Sequence, residues 1–329
     1  MEGRKRKKTG YFILLLLLAA ALAACIYLYP VWKAAGILQR HMAAGCFTYE
    51  LDVQVDKTAL EAGQREVLEN LAKLTGYDEE AMFRLRVSGT VWEDKIQAMI
   101  YPQGGTEPLM ELYLSNEVKA LNETRPYNTI RSNLIGKYEI LEHIMPAEME
   151  AIYMTAEQAE QIFHLDLSAV KSFQLPNLGA GKSAVGYFAV LALASKEKLE
   201  QGYRYEISAD QAVLRVEITD YASEGNTGTD GEGRGGESPG QVRIQLDLTK
   251  PGELAAQQSQ LLARLGIELP VRELAMLENI SIVMEPGKGS EPEAPDRFMD
   301  QKKADLIVEI RDLIVKLADL FTSEESPAQ

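Results

Sequence analysis

Residues 46–56, CFTYELDVQVD, put Phe47, Tyr49, Leu51, Val53 and Val55 on one side of an extended chain and Thr48, Glu50, Asp52, Gln54 and Asp56 on the other. Successive side chains of a strand point to opposite faces, so this period of two demands a sheet with one dry face and one wet, acidic face. The pattern recurs. AMFRLRVSGTVWEDKIQAMIYPQGG (81–105) reads as two strands joined near Gly89 or Trp92-Glu93-Asp94, and LMELYLSNEVKALNE (109–123) as a hairpin turning near Ser115-Asn116. YRYEISADQAVLRVEITD (203–220) turns at Ala209-Asp210-Gln211, and QVRIQLDL (241–248) and NISIVMEP (279–286) add two more strands. Alternation in short successive strands argues an antiparallel sheet, because parallel sheets covered on both faces read as continuous apolar runs.

Helical patterns interrupt the strands. KAAGILQRHMAAG (33–45) reads as a short helix, as does ALEAGQREVLENLAKLTG (59–76). Thr155 to Gln158 matches a capping box ahead of AEQAEQIF. SAVGYFAVLALASKEKLEQG (183–202) is expected to hold a buried helix before Gly202, and PGELAAQQSQLLARLG (251–266) has Pro near its start and Gly after its last turn. Six to eight strands with a few helices give an α+β fold over residues 33–285. Within it, residues 222–240 lack the apolar side chains that would offset ordering, so a flexible loop is expected there. Residues 286–297 read as a linker, 298–321 as an amphipathic helix and 322–329 as a disordered tail. In that helix Leu306, Ile310, Leu313, Leu317 and Leu320 repeat at four and three, making a stripe that docks on the body or on a partner.

The N-terminus sets the expected location. Tyr11 to Trp32 holds 22 residues without a charge. As a helix they span about 33 Å, enough for a hydrocarbon core of roughly 30 Å. The preceding ten residues carry +4 and are expected to stay cytoplasmic, placing the body of the chain outside. Leu22-Ala23-Ala24-Cys25 resembles a bacterial lipobox, which makes Cys25 a candidate lipidation site. The apolar run beyond it favours a single-pass helix instead, with Tyr27, Tyr29 and Trp32 as membrane-interface residues. Either anchor predicts a cell-membrane protein with its main domain outside the cytoplasm.

Charge and motifs narrow the function. Removing +4 for residues 1–10 and +1 for Lys33 from the net −15 leaves −20 for residues 34–329, which disfavours nucleic acid and anionic lipid surfaces. With two cysteines, one of them Cys25, Cys46 is left without a disulfide partner, as suits a bacterial envelope protein. Gly179 to Ser183, GAGKS, departs from the phosphate-loop pattern, which needs glycine where Pro176 stands. His41, His143 and His164 have no metal-ligand spacing. Asn226, Asp230, Glu232 and Glu237 approach a calcium-loop spacing, but Gly228 and Arg234 occupy the third and ninth positions. Glu93-Asp94 and Glu291 with Glu293 are unremarkable among 49 acids. The expectation is a non-enzymatic protein with no cofactor and no metal site.

The anchor, the helix up to Gly45, FTYELDVQVD and the strands MFRLRVSGTVWEDKIQAMIY, LMELYLSNEVKAL and KEKLEQGYRYEISAD together resemble, diffusely, the bacterial envelope half-barrels of the LolA and LppX lipoprotein type over residues 34–285. The resemblance implies a curved antiparallel sheet, half-barrel-like and covered by helices, enclosing a cavity for a lipid or other apolar ligand. No ligand-contact residue transfers. The alternative is a packed envelope scaffold or signalling protein that meets a protein partner through its acidic surface or C-terminal helix.

Overall fold

The computed structural model describes residues 28–143, 147, 151–163, 167, 171, 183–219, 240–264 and 271–309, with the backbone alone at 163, 259–264 and 273. The strands are β1 (Cys46–Val55), β2 (Arg84–Trp92), β3 (Lys95–Pro102), β4 (Met110–Ser115), β5 (Lys119–Asn122), β6 (Tyr153–Thr155), β7 (Ser195–Leu199), β8 (Gly202–Ala209), β9 (Ala212–Thr219), β10 (Gln241–Thr249) and β11 (Leu277–Pro286). They form one antiparallel sheet in the order β6-β5-β4-β3-β2-β1-β11-β10-β9-β8-β7. From β1 the chain meanders outward to β6, crosses to the opposite edge at β7, and returns inward until β11 pairs with β1.

The period of two read in residues 46–56 sets the faces. Tyr49, Leu51 and Val53 lie opposite Gly89, Val87 and Leu85 of β2 and opposite Met284, Ile282 and Ile280 of β11. The apolar face continues through Ala98 and Ile100 of β3, and on the other side through Ile244 and Leu246 of β10 and Val216 and Leu214 of β9. At Gly89 the strands approach so closely that a Cβ would lie 1.8 Å from the Gln97 carbonyl oxygen, so only glycine fits.

Helices α1 (28–43), α2 (Ala62–Thr75), α3 (Glu79–Met82), α4 (Thr124–Lys137), α5 (Ala156–Phe163), α6 (Ala184–Leu193), α7 (Pro251–Arg264), α8 (Val271–Leu274) and α9 (301–309) pack around this sheet. On the apolar face, Val31, Ala34, Ala35, Ile37 and Leu38 of α1 and Leu191 of α6 bury Tyr205, Val216, Ile218 and Val242. At the other end of the sheet, Ala159 and Ile162 of α5 and Ala304 of α9 close over Met154 with Met299. Each large side chain buried this way contributes about 1.5–3 kcal/mol. The capping box forms as read: Gln158 N donates to Thr155 Oγ1 at 3.3 Å and Thr155 N to Gln158 Oε1 at 3.0 Å.

Several expectations are overturned. The sheet is open, with β6 and β7 at its two edges, so the half-barrel and with it the LolA and LppX resemblance are not realised. Its helices gather over the two ends of the apolar face instead of closing one side of a cavity. Among the described residues no helix is long and apolar enough to cross a membrane. Residues 28–32, expected to finish a transmembrane helix, open α1, whose apolar side lies against β8 to β10, with Val31 only 2 % exposed. Of the span read over Tyr11 to Trp32, residues 28–32 are described, and they belong to a stripe that runs from Val31 to Leu38 and is buried on protein. The membrane and extracytoplasmic location inferred from that anchor falls with it, as do a membrane and an envelope protein as partners. Cys25 and Tyr27 lie outside the described residues.

Two strands escape the sequence reading. Residues 195–199 fall in the segment expected to hold a helix before Gly202; the helix ends at Ala194, whose backbone is extended, and they pair with β8 as a strand. β6 is three residues long and takes its register from Asn122 and Leu121. Residues 286–297, read as a linker, run on from β11 as a strap that continues through Phe298 to Asp300, read as the start of the last helix. Gly287 abuts His41, Gly289 meets the Thr48 and Thr90 methyls, Glu291 pairs with Lys95, and Phe298 bridges in parallel to Tyr153.

Candidate functional site

The wet face of the sheet splits into two regions. Across β7 to β11 it carries a charge lattice built on Arg204 and Arg215. Arg204 holds Glu197 at 3.0 Å and Glu217 at 2.8 Å, and Arg215 holds Glu206 at 2.8 Å and Asp247 at 2.7 Å. Asp247 also accepts from Ser281 Oγ at 2.6 Å and from Gln245. Burial pushes the Asp247 carboxyl up, but the Ser281, Gln245 and Arg215 contacts outweigh it and hold the group below the usual carboxylate range. Cross-strand pairing dictates this pattern, because Arg204 faces Glu217 and Arg215 faces Glu206 in register.

Over β11, β1 and β2 the same face opens into a trough. Its larger hollow, about 920 Å³, has Asp52, Gln54, Arg84, Arg86, Asn279 and Ser281 on its floor and the β3–β4 loop, Gln103 to Thr106, as a wall. A second hollow of about 460 Å³ continues over Glu50, Ser88 and Arg243. A third, about 500 Å³, lies around the strand ends and shares Gln54 and Arg84 with the first. Arg86 stands opposite Asp52 in register, yet its guanidinium lies over the Tyr101 ring, 4.7 Å from the centroid. Arg84 lies opposite Gln54, whose amide is engaged by Glu278 and Asn279. Neither arginine has a carboxylate partner among the described residues.

Beyond the trough, under α4, lies a buried polar knot. Glu111 accepts from Arg125 Nε at 2.6 Å, Gln97 Nε2 at 2.9 Å and Asn122 Nδ2 at 3.1 Å. Asn122 Oδ1 in turn accepts from the Thr124 and Arg125 amides and caps α4. Burial pushes the Glu111 carboxyl up, but the Arg125, Gln97 and Asn122 bonds bring it below its ordinary value. Burial, then the Glu111 charge, raises the Tyr153 phenol. With its hydrogen bonds directed inward, this knot fastens β4, β5 and α4 to one another.

The lipid cavity expected from the resemblance is not found, since the three hollows carry polar side chains and the helices fill the ends of the apolar face. The sequence-selected residues do not converge. Tyr29 is 68 % exposed, and Trp32, 49 % exposed, meets Phe188 of α6 edge-on at 5.5 Å. Leu306 is 53 % exposed, whereas Ala304 is fully buried with Ile307 and Val308 packed beside it. Ile310, Leu313, Leu317 and Leu320 lie outside the described residues, as do His164, Gly179 to Gly181, and Asn226, Asp230, Glu232 and Glu237. His41 Nδ1 lies 3.0 Å from the Pro286 carbonyl oxygen, and His143 sits exposed in a short 3-10 turn. No cluster of metal-ligating side chains occurs among the described residues. The trough was legible only as the acidic side of β1, because its arginines belong to another strand and the wall to a loop. No family model, curated protein or solved structure matches the chain.

Proposed function

We propose that this chain is a non-catalytic binding module that receives a protein partner on the wet face of its sheet. The observation that carries the reading is the contrast within that face: one region is tied up in reciprocal ion pairs, while in the adjoining trough Arg84, Arg86 and Asp52 form no ion pair among the described residues. Polar groups held on a rigid sheet lose little entropy on binding, which favours recognition by hydrogen bonds over capture of apolar material. The lattice stiffens the floor, and the strap and the β3–β4 loop bound it.

Site-specific photocrosslinking tests this. A benzophenone side chain placed at position 50 or 249 of the full chain in its native cells is expected to yield discrete protein adducts, and one at exposed position 66 in α2 is not. Adducts to lipid, or equal yields from all three positions, would overturn the reading.

A further inference from the structure

We propose that the β2 side of the trough recognises an extended acidic segment of the partner, with two carboxylates in an acid-x-acid spacing seated on Arg84 and Arg86. This rests on the reading of the trough as the partner-binding face. Arg84 and Arg86 point to the same face of one strand, two residues and about 6.6 Å apart. An extended peptide repeats at the same period, so carboxylates at i and i+2 match both guanidinium groups at once, whereas adjacent acids diverge to opposite sides.

In the charge lattice next door Arg204 and Arg215 each take two carboxylates. Arg84 and Arg86 take none among the described residues, although the chain carries 49 acids against 34 basic residues. Arg86 is held flat on Tyr101, which leaves the N–H edge of the guanidinium free for a bidentate carboxylate. Asp52, across from Arg86, is exposed; it repels an acid on its own side and accepts backbone N–H groups from a peptide lying on the face of the sheet. At the wall, Gly104 has no atom within 4 Å of where a Cβ would stand, so the loop leaves the peptide room to enter. A small dicarboxylate would satisfy the arginines but not Asp52, which is why a peptide is favoured.

The test is a selection from a displayed random-peptide library on the immobilised full chain, followed by fluorescence-anisotropy titration of enriched peptides. Enrichment of acid-x-acid sequences is expected, with Arg84→Gln or Arg86→Gln weakening them about tenfold or more and Arg204→Gln leaving them unchanged. Glutamine in place of either peptide acid is expected to reproduce that loss. Enrichment of basic or apolar peptides that Thr249→Trp blocks would overturn this inference while leaving the trough as the binding face. No enrichment, or enrichment indifferent to Thr249→Trp, Arg84→Gln and Arg86→Gln alike, would overturn both.

Discussion

Replacing Arg125 by alanine should strand a buried carboxylate. The Glu111 side chain is 7 % exposed and that of Arg125 34 %. Removing one partner of a fully buried ion pair costs about 3–5 kcal/mol. Here water reaches the exposed third of Arg125, and Gln97 and Asn122 go on donating to Glu111, so a loss of about 2–3 kcal/mol is expected at pH 7. The sign of the pH dependence comes from the direction of the shift. The Glu111 carboxyl is lowered in the fold, so its contribution is complete above the ordinary carboxylate pKa and is lost as the pH falls through the lower folded value. In the variant, burial is no longer outweighed by the guanidinium, and the carboxyl takes up its proton at higher pH. The deficit of Arg125→Ala against the parent chain should therefore shrink between pH 7 and pH 4 in urea unfolding followed by circular dichroism. Adding Glu111→Gln should recover part of the loss, since it removes the stranded charge while keeping the shape. A deficit within about 0.5 kcal/mol at pH 7, the range of ordinary surface changes, or an equal deficit at both pH values, would mean that no carboxylate is stranded.

Gly89→Ala should cost about 3 kcal/mol through the clash with the Gln97 carbonyl, measured as a fall in thermal midpoint that Gly36→Ala, with open space around it, does not share. Ala304→Glu should cost about 3 kcal/mol by forcing a charge into the contact with α5, while Leu306→Ala, half exposed, should change urea stability by under about 0.5 kcal/mol. Asn122→Ala should lose about 2 kcal/mol, because it removes both the α4 cap and a donor to Glu111; amide exchange in residues 124–128 should rise, and exchange confined to other segments would contradict this.

Local pattern carried much of the sheet. The alternation in residues 46–56 became β1 with its faces as read, the turn at Glu93-Asp94 joins β2 to β3, and Asp210-Gln211 joins β8 to β9. Those elements were legible because strand period and turn chemistry act over a few residues. β7 was not, since SKEKL continues a helical composition and becomes a strand only by pairing with β8. Of the helix stripe only Leu306 is described, and it is half exposed while Ala304 is buried in the cluster with α5, a choice made by how α9 docks and not by its own period.

The order of residues alone requires an antiparallel sheet with one dry and one wet face, and it places several of the turns and helix caps, because those choices are settled between near neighbours. Long-range packing decided that the sheet stays open, that the apolar residues from Val31 to Leu38 are buried on strands nearly two hundred residues away, and that Arg204 and Arg215 meet carboxylates while Arg84 and Arg86 do not among the described residues. These depend on which strands become neighbours, and adjacency between distant segments leaves no period in the chain to read.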